Sequence, residues 1–119
     1  MDTATIVLDS QDITVGPGVP IQVTQALPHE FAALRPTDFK FADPEIWEIN
    51  EFMIGNRSQL ERAEPIPATD LALPFPKGLY QGSCDTIQTR MQIVMIATHH
   101  GEGKRSFRCE VSGPAARLL

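Results

Sequence analysis

The chain has 119 residues, 42% of them hydrophobic, and carries ten Lys and Arg against fifteen Asp and Glu for a formal net charge of −5. That length predicts one domain over residues 1–119, burying roughly 65% of the surface exposed in the unfolded chain, enough for a core without staples. The charge argues against direct nucleic-acid binding, which needs a basic stripe to displace counterions from phosphates; only Lys104 and Arg105 adjoin, with Arg108 nearby.

Residues 1–12 have no basic leader and no long apolar region, so no signal peptide is expected, and no window approaches the ~20 apolar residues of a membrane span. Three short strands are predicted before residue 26. They are Thr5-Ile6-Val7-Leu8, then Ile13-Thr14-Val15, then Ile21-Gln22-Val23-Thr24-Gln25 after the Gly16-Pro17-Gly18 break. The last alternates apolar with polar, the signature of a strand with one buried face. Between Pro28 and Pro36, His29-Glu30-Phe31-Ala32-Ala33-Leu34 is open between one helical turn and a bulged strand. Phe39-Lys40-Phe41 alternates again.

Residues 43–55 carry conflicting signals. Asp43-Pro44-Glu45 is a good helix start, and Ile46, Ile49 and Met53 recur at helical spacing before Gly55. A strand would set Trp47 and Ile49 on one face and Phe52 and Ile54 on the other, which demands a β-bulge near Asn50-Glu51. The β-rich surroundings favour the strand. Gly55-Asn56 then suits a tight reversal, and Arg57, Ser58 and Gln59 supply hydrogen-bonding groups for backbone carbonyls or a partner's carboxylate. The stretch with Pro65, Pro67, Pro74 and Pro76 reads as an ordered arm reaching a neighbour.

Near the C-terminus, residues 87–98 read as one strand, with Ile87, Met91, Ile93, Met95 and Ala97 on one face. Residues 106–112 alternate with Phe107, Cys109 and Val111 inward. With the turn at residues 99–104 between them, the two runs read as a β-hairpin.

Candidate chemistry is thin. His99 and His100 with Glu102 are the nearest approach to a metal cluster, but adjacent residues on a strand point to opposite faces, so no metal or cofactor is expected. Ser83-Cys84-Asp85 lacks a histidine at a telling position. Cys84 and Cys109, without a secretory signal, read as free thiols made in a reducing cytosol. Gly101-Glu102-Gly103-Lys104 fails the phosphate-loop pattern, because position 98 is Thr98 and a strand follows. The acids Asp43, Glu45, Glu48 and Glu51 read as a solvated face, and Trp47 as a core or interface anchor. The expectation is a protein that is not an enzyme.

The segments Trp47-Glu48-Ile49-Asn50 and Ile54-Gly55-Asn56-Arg57-Ser58-Gln59-Leu60 resemble a family of small structural proteins of tailed bacteriophages. In that family a strand ending in a similar stretch precedes a loop carrying Ile-Pro, as Ile66-Pro67-Ala68 does here. Asp85-Thr86-Ile87-Gln88-Thr89 and Ile93-Val94-Met95-Ile96-Ala97-Thr98 resemble its later strand, and Phe107 the aromatic of its last. The resemblance spans roughly residues 20–113. Arg90 and Gln92 are more polar than its pattern, and residues 71–80 match nothing in it. It implies an all-β protein, a single antiparallel β-sandwich of about eight strands with a jelly roll the expected topology. It further implies a capsid decoration or cement protein on the virion surface, made in the bacterial host cytoplasm. The partner would be the major capsid protein, reached as a homo-oligomer, a trimer suiting threefold lattice sites. Trp47 and Phe52 would be core or interface anchors; Asn56, Arg57, Ser58 and Gln59 would form an intersubunit or structural polar knot. The alternatives are a spike or fibre head binding host-surface carbohydrate, for which one Trp and one Tyr offer few platforms, and a small enzyme with a pocket joining His29 or His99 to Cys84.

Overall fold

Alternation decides most of the secondary structure. In a computed structural model that describes residues 2–118, the N-terminal half forms β1 (Asp2–Asp9), β2 (Ile21–Ala26), β3 (Phe31–Leu34), β4 (Asp38–Phe41) and β5 (Trp47–Ile54). β6 (Arg57–Ser58), β7 (Ile66–Pro67), β8 (Ile87–Gln88), β9 (Gln92–His99) and β10 (Arg108–Arg117) complete the strands. Helix is confined to α1 (Ala68–Leu71) and two 3₁₀ turns, Pro44–Ile46 and Tyr80–Gly82.

The strands form two antiparallel sheets. One has the order β1-β10-β3-β8, with β4 also on β10; the other has β2-β9-β5-β6, with β7 on β5. The pairs β1–β10, β2–β9, β3–β8 and β5–β6 are nested, so the chain is one long antiparallel hairpin rolled into a sandwich. That winding is a jelly roll. Counting β3 with β4 and leaving out the two-residue β7, it has the eight strands expected.

Rolling the hairpin overturns one expectation. β9 and β10 are not a hairpin: β9 pairs with β2 and β5, β10 with β1, β3 and β4, and the link between them crosses from sheet to sheet. Each strand buries an apolar row, Ile93, Met95 and Ala97 on β9 and Cys109 and Val111 on β10. Both rows face the core, one from each sheet, so the alternation is as expected while the sheet membership is not. The single strand expected over residues 87–98 is also two. Arg90 adopts a positive φ of 73° and Met91 N–H bonds Gln88 C=O at 3.0 Å, a turn at one of the two polar residues that departed from the resembled pattern. Ile13-Thr14-Val15 forms no strand. Ser10 pins this segment into a turn, and only Val15 bridges, to Arg105.

β5 resolves the conflict over residues 43–55. The helix signal is spent in the single turn Pro44–Ile46, and the strand follows with a register shift between Ile49 and Glu51. Asn50 is the extra residue of this bulge. It brings Phe52 and Ile54 onto the same buried face as Trp47 and Ile49, each at most 3% exposed. The ring of Phe39 meets Phe52 edge-on at 5.5 Å, and Trp47 meets Phe107 at 4.9 Å, so the two sheets are joined through aromatic contacts.

β10 runs through the middle of its sheet yet contains Pro114, which has no N–H to donate. The position tolerates it because β3 and β4 leave a gap there, Arg35-Pro36-Thr37. Arg35 N–H bonds Pro114 C=O at 3.0 Å and Thr37 N–H bonds Ser112 C=O at 2.9 Å. Gly113 lies beneath this crossing. A β-carbon there would stand 1.9 Å from the Arg35 carbonyl oxygen. That contact is with backbone, so it cannot relax by a rotamer change. Gly113→Ala is therefore expected to destabilise the fold by roughly 2–3 kcal/mol, read as a lower urea midpoint; an unchanged midpoint would contradict the close crossing.

Candidate functional site

Residues 56–59, singled out by their chemistry, lie at one end of β5. Ile54 pairs with Arg57 across the two-residue loop Gly55-Asn56. Gly55 has a φ of 63°, and a positive φ at the first loop position only is the type II′ pattern that matches strand twist. Asn56 is the exposed second loop residue.

Gln59 is the centre of a polar knot. It is 3% exposed, and its side chain is fully used. Its Nε2 donates to Arg57 C=O at 3.1 Å and to Asp85 Oδ2 at 2.9 Å, and its Oε1 accepts from Asp85 N–H at 2.7 Å. Its main chain accepts from Tyr80 N–H and donates to Phe52 C=O. One amide thus ties the β5–β6 hairpin to the loop of residues 79–85. Arg57 caps the same carboxylate from outside, with Nε 3.4 Å from Asp85 Oδ2 and its guanidinium 5.8 Å from the centre of the Tyr80 ring. Ser58 donates to Glu51 Oε1, which also accepts from Phe52 N–H. Arg57, Ser58 and Gln59 are brought together as a knot within one molecule. Trp47 and Phe52 are core residues, so neither is available as a surface anchor.

Sequence reasoning missed two other buried polar groups. Ser10 donates its N–H to Phe107 C=O, its hydroxyl to Ile13 C=O, and its Oγ accepts from Phe107 N–H at 2.8 Å. His99 is fully buried beside Trp47, with ring centres 5.1 Å apart. Its Nδ1 accepts from Gly101 N–H at 3.1 Å, which assigns the proton to Nε2, 2.7 Å from Val15 C=O. His100 points the other way and meets Glu48 Oε1 at 2.8 Å. The opposed directions match the strand argument, and the buried His99 ties the start of the turn at residues 99–104 to the segment at Val15. No described buried side-chain nitrogen or oxygen lacks a partner.

The cysteines are free and buried. Burial, reinforced by the neighbouring Asp85, pushes the Cys84 thiol up from 9.0 to about 12, and burial pushes Cys109 up as well. Both stay protonated and weakly nucleophilic near neutral pH. Asp9, half-buried, is held below the usual carboxylate range by the Gln11 N–H and Arg108. Among the described residues, no three His, Cys, Asp or Glu stand close enough to hold a metal ion, and no helix is long and apolar enough to cross a membrane.

The proline stretch is ordered and partly packed onto the body of the sandwich. Ile66 and Pro67 pair with β5, Ala68 and Leu71 are buried, and Lys77 N–H bonds Asp70 C=O at 3.0 Å. Only the tip projects. Phe75, between Pro74 and Pro76, is 88% exposed beside a cleft of about 290 Å³ whose far wall is Arg35, Pro36 and Thr37. The cleft and the Gln59 knot share the loop of residues 79–85, so they occupy one end of the sandwich.

The fold and this site define a jelly-roll β-sandwich whose buried polar groups are spent on its own architecture. No protein-family model, curated protein or solved structure matches the chain.

The knot makes a contrast. Gln59→Ala leaves Asp85 N–H without its acceptor and is expected to cost roughly 1–3 kcal/mol. Arg57→Ala removes an exposed pair and is expected to cost less than about 1 kcal/mol. Urea unfolding of both variants checks the order; an Arg57 effect larger than the Gln59 effect would place the weight of the knot on the wrong residue.

Proposed function

We propose that this chain is a bacteriophage virion structural protein, a capsid decoration or cement protein that adheres to the assembled shell across neighbouring copies of the major capsid protein. The observation that carries the reading is Phe75, a large apolar side chain at 88% exposure on a proline-bracketed tip. Fixed φ at Pro74 and Pro76 limits the backbone freedom lost on docking. The tip stands beside a ready cleft with Arg35 on its wall, a pairing of aromatic and guanidinium that suits a protein interface. The resemblance of residues 47–60 and 66–68 to phage structural proteins supports the same reading.

The action is physical. A module that binds the assembled lattice and not free subunits stabilises the lattice by mass action. Several linked copies gain avidity without new contacts. The net charge of −5 favours a neutral or basic partner surface. Of the groups named for an enzyme reading, His99 has both ring nitrogens hydrogen-bonded and the Cys84 thiol is protonated.

The test is co-sedimentation with empty phage heads at micromolar protein. The wild type is expected to pellet with the heads. Phe75→Asp, on an exposed tip, is expected to keep the same thermal midpoint and bind at least tenfold more weakly. Wild-type protein remaining in the supernatant would overturn the proposal, and an unaffected Phe75→Asp variant would remove Phe75 from it.

A further inference from the structure

The outer edge of β1 is open along its whole length. β1 pairs only with β10 among the described residues. Ser10 N–H bonds Phe107 C=O, and the register sets Asp9 opposite Arg108. Antiparallel alternation then makes Leu8–Cys109, Ile6–Val111 and Ala4–Gly113 the hydrogen-bonded pairs. The N–H and C=O groups of Thr3, Thr5, Val7 and Asp9 point away from β10. β10 agrees, since its Arg108, Ser112 and Pro114 carbonyls accept from Ala42, Thr37 and Arg35 on its other side.

Sheet edges are usually blunted by lysine, proline, a bulge or shortness. β1 has none of these devices. It is eight residues long, keeps register without a shift, and reads Asp-Thr-Ala-Thr-Ile-Val-Leu-Asp. Its two acids are each paired with an arginine of β10: Asp9 meets Arg108 at 2.8 Å and Asp2 meets Arg117 at 3.0 Å.

We propose that β1 is a dimerisation edge, where a second copy of this chain adds its own β1 antiparallel about a twofold axis at Ile6. Hydrogen-bond parity requires odd residues to face odd residues. The register that would set Asp2 against Asp9 is thereby forbidden. With the axis at Ile6, Thr5 faces Val7 of the second copy and Thr3 faces Asp9, each pair exchanging two main-chain bonds. On the inner face Ile6 meets Ile6 and small Ala4 meets large Leu8, so the two cores continue into one another. No like charges stand opposite. Above the edge, a groove of about 360 Å³ between Thr5-Ile6-Val7 and the segment of residues 25–29 leaves room for a neighbouring strand's side chains. The pairing is independent of the capsid reading and gives a twofold dimer in place of the threefold ring expected from it.

The test is the mass of the full chain in solution by light scattering or sedimentation, from one to several hundred micromolar. Wild-type protein is expected to reach twice the mass of one chain, more readily at higher salt because screening relieves the repulsion between two acidic copies. The double variant Thr5→Lys, Val7→Lys places two outward charges on the edge and is expected to stay monomeric. Val7→Pro removes a donor that serves no bond within the chain and is expected to do the same, with circular dichroism verifying that both variants fold. Wild-type protein monomeric throughout, a trimer, or a dimer that survives both variants would each overturn the proposal.

Discussion

The molecule depends on two apolar rows meeting face to face, and one of those rows exists only because β5 absorbs an extra residue. Trp47, Ile49, Phe52 and Ile54 form the inward row of the central strand of their sheet. A regular strand through this sequence would send the second pair to solvent. The bulge at Asn50 restores them to the core, where fully burying each such side chain is worth roughly 1.5–3 kcal/mol. Asn50 is held in place by accepting from the Thr98 hydroxyl at 3.2 Å on the neighbouring strand. The edge-on contact of Phe52 with Phe39 follows from that adjustment, and it joins the inward row already begun by Trp47 against His99 and Phe107.

The interior polar groups complete the roll. His99, Ser10 and Gln59 each tie a connection between strands to the body of the sandwich. Each is fully bonded, as burial demands. A chain that rolls a hairpin around itself leaves long connections at its ends, and unpaired backbone there would be costly. These side chains supply the missing partners, and their groups are thereby committed to architecture.

Strand positions were legible wherever one face was buried. β2 and β4 appear where alternation placed them, and the inward sets of β9 and β10 are those expected. The bulge was legible from the mismatch between Ile49 and Phe52. Sheet membership was not. Alternation reveals that a strand has an apolar face but not which layer covers it, so β9 and β10 looked like neighbours when they lie in opposite sheets. The break at Arg90 was marked only by polarity, because a positive φ at an arginine leaves no sign in composition. Gln59 was singled out for its chemistry, and its burial depended on Asp85, which lies 26 residues away. Phe75 was hidden for the opposite reason: a single apolar residue among prolines reads equally well as core or as surface.

The bulge is tested most directly by paired deletions followed through the fluorescence of Trp47, the one tryptophan of the chain. Removing Asn50 leaves Trp47, Ile49, Phe52 and Ile54 in strict alternation and preserves each partner on β9, so the variant is expected to unfold in urea as one cooperative transition with a buried tryptophan. Removing Met53 instead turns Ile54 outward and shifts the end of the strand out of register, and that variant is expected to lose much of its stability. Equal damage from both deletions, or greater damage from the loss of Asn50, would contradict the account.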